Sequence, residues 1–169
     1  MRLFHWALAT SVAGAWLLSE SHRWLHELAG YAALAFVAVR ILSGFVGTPY
    51  ERFTDFVRGP RATLAYLWDI ARRRERRHLG HNPAGGAMIV GLLCAIVIAA
   101  LTGWLMTTDT FWGDERLEAA HKLLANLLVI LVALHVSGVI VASFSHRENL
   151  VWAMFTGRKR PNVPDELEG

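Results

Sequence analysis

Apolar residues in this chain gather into four long blocks, Leu3 to Leu18, Leu25 to Val46, Ala84 to Met106 and Leu117 to Phe144. Each is long enough, or nearly so, for the roughly 20 residues that cross a hydrocarbon core. The pattern predicts an all-α membrane protein built as a four-helix transmembrane bundle. The first block is short and bounded by Arg2 and Glu20, so a secretory leader with Ala13-Gly14-Ala15 as its cleavage motif competes with a span there. His5-Trp6 interrupts that block and its basic region is reduced to Arg2, which argues against a leader.

Between blocks two and three lies the one substantial polar segment, Thr48 to Pro83. Within it, Arg61 to Arg77 contains no Gly or Pro and carries Leu64, Leu67, Trp68 and Ala71 at helical spacing against an arginine-rich face. That reads as an amphipathic helix lying on the inner membrane surface. The chain shows no convincing internal repeat. It divides into one membrane domain over residues 1–160 and a mobile tail over 161–169, rich in prolines and acids.

Composition reinforces the membrane reading. Of 169 residues 54% are hydrophobic and the mean hydropathy is +0.33. Charge placement adds an orientation. Arg52, Arg58, Arg61, Arg72, Arg73, Arg74, Arg76 and Arg77 crowd the long loop, Arg147, Arg158, Lys159 and Arg160 follow the last block, and Arg2 precedes the first. The other side has Arg23, Arg116 and Lys122. The positive-inside rule then places both termini and the long loop in the cytoplasm, as expected for a multi-pass protein of a bacterial inner membrane. The pI near 9.5 is a topology signal and an attraction to anionic lipid, with no need for nucleic acid. The single cysteine, Cys94, excludes both a disulfide framework and covalent haem attachment through a Cys-x-x-Cys-His motif. It reads as a small packing residue.

The candidate chemistry lies in the histidines. His121 and His135 stand fourteen residues apart in the last block, nearly whole turns, so both project from one helix face about 21 Å apart in depth. Ionisable groups inside a span are costly and usually functional. Following the chain in and out of the bilayer pairs His26 with His121 near the outer face and His5 with His135 near the inner face. Two imidazoles from facing helices fill both axial positions of a non-covalent haem b, leaving no open iron site and favouring electron transfer. Small residues that would give a porphyrin room follow each histidine: Ala9, Gly30, Ala125 and Gly138. His22 rivals His26, four residues away on the same face, but lies outside the apolar run. His78, His81 and His146 sit outside the spans and read as solvated.

The chain resembles the bacterial di-haem cytochrome b561 family, which is similar to the cytochrome b subunits of nickel–iron hydrogenases and formate dehydrogenases. The resemblance runs from Arg2 to about Lys159. It is carried by Arg2-Leu3-Phe4-His5-Trp6, His26 with Gly30-Tyr31, Arg40 with Gly44-Phe45-Val46-Gly47, His81-Asn82-Pro83-Ala84-Gly85-Gly86, and His121 with His135. It implies a four-helix bundle binding two haems b through His5, His26, His121 and His135, with quinone exchange near the inner haem. It also implies a quinone role for Asn82, with Gly85 and Gly86 allowing close approach; unaided, Asn82-Pro83 reads as a helix start. Arg40, near the inner end of the second span, either pairs with a haem propionate or snorkels to the interface.

The leading expectation is transmembrane electron transfer between a periplasmic redox partner (a hydrogenase, a dehydrogenase or a cytochrome c) and the membrane quinone pool. A second is a stand-alone oxidoreductase that oxidises a small reductant such as superoxide or ascorbate with quinone as acceptor. A third is a haem-free proton-relaying or scaffolding protein. Flavin, molybdenum and iron–sulfur motifs are absent from the sequence.

Overall fold

The computed structural model describes residues 2–48, 52–72, 74, 82–145 and 149–156. His78, His81, His146, the arginines at 73, 76, 77, 147, 158 and 160, Lys159 and the tail lie outside them. Seven helices follow in order among the described residues: α1 (Arg2–Leu17), α2 (Arg23–Val46), α3 (Phe53–Phe56), α4 (Pro60–Ala71), α5 (Pro83–Leu105), α6 (Glu115–Ser145) and α7 (Leu150–Thr156). The four apolar blocks are α1, α2, α5 and α6. The long polar segment holds α4 and also the short α3, which the sequence pattern does not announce.

Three helices, α2, α5 and α6, are long and apolar enough to cross a membrane. With 16 residues, α1 reaches about 24 Å, short of the roughly 30 Å hydrocarbon core. The helix ends follow local chemistry. Asn82 caps α5 by accepting from the Gly85 N–H at 2.7 Å, and Pro83 occupies the first helical position, where its missing N–H is harmless. Gly113 takes φ 77°, a left-handed turn, and Asp114 then accepts from the Arg116 and Leu117 N–H groups to start α6. Asn149 does the same for α7 through the Trp152 N–H. Hydroxyls inside the apolar helices bond back to their own turns, as Thr10 does to Trp6, Ser11 to Ala7 and Ser137 to Ala133. In a lipid setting those donors have no water to turn to.

Packing runs as a chain of neighbours: α1 lies along α2, α2 meets α5, and α5 lies along α6, with α4 against α5 and α7 against α6. The core is small. Ala33 and Val37 of α2 meet Leu93, Ala95 and Ile96 of α5 and Leu128 of α6. Alanines let the backbones approach, as lipid-embedded interfaces favour. Outside this seam the large apolar side chains face outward, Leu123 at 70% and Phe144 at 81% exposure among them. Such a surface suits lipid and not water. Cys94 belongs to it: expected to pack, it is exposed instead, on the same outward stripe of α5 as Ile98 and Leu101.

Two glycines fix the segment after α2. Phe53 lies where a Gly44 side chain would be, and the Phe56 carbonyl oxygen stands 2.6 Å from where a Gly86 Cβ would sit. The short α3 is thereby wedged between the end of α2 and the start of α5. Beside it, α4 turns Tyr66 inward and leaves Leu64, Leu67 and Trp68 exposed at 67%, 47% and 60%. Its Thr63 hydroxyl stands 3.3 Å from the Gly59 carbonyl and 3.5 Å from the Pro83 carbonyl, which places α4 beside the start of α5.

Candidate functional site

α6 is a single uninterrupted helix of 31 residues, and His121 and His135 project from it toward the α1–α2 hairpin at two levels. At one level His135 faces His5 of α1, with ring centroids 6.4 Å apart and planes inclined by 45°. At the other His121 faces His26 of α2, with centroids 6.0 Å apart and planes at 90°. All four rings are half-buried. His22 stays apart from both pairs: it occupies the position before α2, is exposed, and its Nδ1 meets the Ser21 hydroxyl.

The second pair is oriented through Nδ1. His26 donates from Nδ1 to the Ala15 carbonyl at 2.6 Å, a carbonyl in the last turn of α1, where helices leave acceptors unused. His121 Nδ1 lies 3.1 Å from the Ala99 carbonyl and 3.1 Å from the Thr102 hydroxyl, both on α5. A proton on Nδ1 leaves Nε2 of the neutral ring with a bare lone pair. In the first pair, His5 Nδ1 and the neighbouring Trp6 indole N–H are buried without a hydrogen-bond partner among the described residues.

What fits between such rings is a metal ion gripped from both sides. Two imidazole nitrogens, each about 2 Å from a shared ion and about 1.2 Å from its own ring centre, place the ring centres about 6 Å apart. The observed 6.0 and 6.4 Å agree with that separation. Among the described residues no three His, Cys, Asp or Glu side chains converge into a metal-binding group, and each level brings two imidazoles together. A planar macrocycle carrying the ion would also need open flanks. Side chains built at Gly30 and Gly138 would meet nothing within 4 Å, and α6 does not pack closely along α1 or α2, the helices its histidines reach. The donor set and the space fit haem b.

The remaining residues named from sequence cluster at the end of the bundle where α2 finishes and α5 begins. Arg40 is buried at 8% exposure, its guanidinium 5.1 Å from the Phe53 ring and 5.6 Å from the Phe56 ring. It does not snorkel to the interface, because α3 folds over it. Asn82 caps α5, and Gly86 is pressed against Phe56. Sequence reasoning missed the seat of His121, formed by Ala99, Thr102 and Gly103. A side chain at Gly103 would come within 3.0 Å of the His121 ring. The available signal was a Thr-Gly pair closing an otherwise apolar span at the depth of a histidine.

A family model described as prokaryotic cytochrome b561 matches residues 1–157. No curated protein and no solved structure matches the chain.

Proposed function

The chain belongs to the prokaryotic cytochrome b561 family of haem-binding, electron-transferring membrane proteins, and from that premise we propose that it carries electrons through two bis-histidine b-type haems. His5 and His135 hold one, and His26 and His121 the other. The observation that supports this is the pair of imidazole couples, 6.4 and 6.0 Å between ring centres, displayed at two depths by one continuous helix. Haem supplies a one-electron iron couple that needs no substrate position on the metal. The protein's part would be to hold each iron between two imidazoles, to fix the His26 and His121 rings through their Nδ1 protons, and to exclude water with an apolar wall.

In this reading α1 is the fourth span and completes a four-helix bundle, with both termini and the α3–α4 segment on the cytoplasmic side of a bacterial inner membrane. The His26–His121 haem then lies near the periplasm and the His5–His135 haem near the cytoplasm. Quinone exchanges electrons at the inner end, beside Asn82, Gly86 and Arg40. The Asn82 carbonyl oxygen is committed to capping α5, which leaves its amide N–H groups as donors to a quinone oxygen.

At the outer end the electron donor or acceptor is a protein. A small anionic reductant would need an excess of positive charge there, but Arg23 is paired with Glu27 at 2.9 Å, Lys122 with Glu118 at 2.7 Å, and Arg116 follows Asp114 and Glu115 directly in the chain. The decisive experiment is a reduced-minus-oxidised spectrum of the purified chain with pyridine haemochrome quantification. Two low-spin b haems per chain are expected. One haem, a high-spin spectrum or no Soret band rules the proposal out.

A further inference from the structure

We propose that Thr102 is a positioning residue for the outer haem: with the Ala99 carbonyl it fixes the tautomer and ring plane of His121 and thereby sets that haem's potential. The inference rests on the assignment of His26 and His121 as one haem's ligands.

Thr102 Oγ1 lies 2.8 Å from the Ala99 carbonyl oxygen, 3.1 Å from that of Ile98 and 3.1 Å from His121 Nδ1. A hydroxyl has one proton and two lone pairs. The carbonyls of the preceding turn can only accept, so they take the hydroxyl proton, and the oxygen meets His121 as an acceptor. His121 Nδ1 must then donate, toward Thr102 and toward Ala99. That leaves Nε2 unprotonated, on a ring whose centre stands 6.0 Å from that of His26. Back-bonding to one's own helix is what threonine in an apolar helix ordinarily does, and Thr10, Ser11 and Ser137 do only that. Thr102 differs because its oxygen also receives a proton from a second helix. Gly103 completes the seat, since a Cβ there would stand 3.0 Å from His121 Cε1 and push the ring out of its plane.

A hydrogen bond from the far ring nitrogen makes an imidazole a stronger donor to its metal. A more basic ligand favours ferric over ferrous iron and lowers the potential. Two acceptors aligned on one N–H also hold the ring against rotation, keeping it at 90° to His26. The low-spin ferric EPR signal of a bis-imidazole haem reads out that angle through its anisotropy.

The test compares the full chain with Thr102→Val, which keeps the shape and removes the acceptor, and Thr102→Ser, which keeps the acceptor. His121→Ala and His135→Ala identify which potential and which EPR signal belong to which haem. Thr102→Val should raise the outer haem's midpoint potential by up to about 59 mV, a tenfold loss of ferric preference. It should change the outer EPR signal, leave the inner haem unaltered, and be reversed by Thr102→Ser. Loss of the outer haem in Thr102→Val, with retention in Thr102→Ser, also supports the assignment. Unchanged outer potential and signal in Thr102→Val, or equal behaviour of the valine and serine variants, overturns it. Failure of the underlying haem assignment looks different: the wild-type chain would itself carry fewer than two haems.

Discussion

Trp6 stacks on Phe155, ring centroids 4.5 Å apart and planes inclined by 23°, while Arg2 donates to the Phe155 carbonyl at 2.8 Å. The helix α7 thus closes onto the residue that follows His5, whose own ring stands edge-on to Trp6 at 5.4 Å. In the proposed arrangement α7 therefore covers the His5–His135 level from one side. Phe155→Ala is expected to remove about 0.5–1.5 kcal/mol of aromatic contact and to loosen the inner haem selectively. Heating while following each haem's absorbance checks this. Equal loss at both sites would count against a local cover.

The four histidines should act in couples. His5→Ala and His135→Ala are expected to abolish the same spectral component, and His26→Ala and His121→Ala the other, if each couple holds one iron as proposed. Haem content should fall from two to one in every single variant. Four distinguishable spectra, or loss of both haems from one substitution, would show that the couples are not independent sites.

Glycines offer a sharper contrast, since three of them differ in what a methyl group would meet. At Gly14 the nearest contact would be Ala29 at an ordinary 3.8 Å, at Gly30 there is open space, and at Gly103 the His121 ring stands at 3.0 Å. Gly14→Ala should change neither fold nor haem content. Gly30→Ala should leave the helical fold intact by circular dichroism yet weaken haem binding, because it fills space that the proposed macrocycle would occupy. Gly103→Ala should weaken the outer haem and shift its spectrum. A Gly30→Ala variant with wild-type haem affinity would place the porphyrin elsewhere.

Much of this was legible in the sequence because a bilayer imposes long apolar runs and depth orders what they carry. The four block limits lie within two residues of α1, α2, α5 and α6, and counting residues along spans was enough to match His5 with His135 and His26 with His121. What escaped has a common cause. The α3 wedge, the burial of Arg40 and the cover by α7 are contacts between segments that no periodicity relates. Phe53 finds Gly44, Phe56 finds Gly86, and Phe155 finds Trp6 only once the bundle brings helix ends together. Thr102 escaped for another reason: a threonine in a span ordinarily serves its own turn, and its one signal, the glycine beside it at the depth of a histidine, lies on a different helix from that histidine.

Arg40 carries a buried charge facing two aromatic rings, so its removal should be felt in stability. Arg40→Met keeps the length and apolar stem. It is expected to cost about 2 kcal/mol through the lost cation–ring contacts, lowering the midpoint temperature of the inner end. An unaltered melting profile would show that α3 docks through its phenylalanines alone.

Asn82 is assigned two roles that substitution can separate. Its carbonyl oxygen caps α5 by accepting from the Gly85 N–H, and loss of such a cap costs about 1 kcal/mol. Its amide N–H groups are the proposed donors to quinone. Asn82→Ser retains an oxygen suited to capping and lacks the amide; Asn82→Ala lacks both. If the amide binds quinone, the serine variant keeps wild-type stability and both haem spectra while reduction by quinol slows. The alanine variant loses stability and slows equally. Steady wild-type rates of quinol-driven haem reduction in Asn82→Ser would confine Asn82 to its structural role and move the quinone site away from the start of α5.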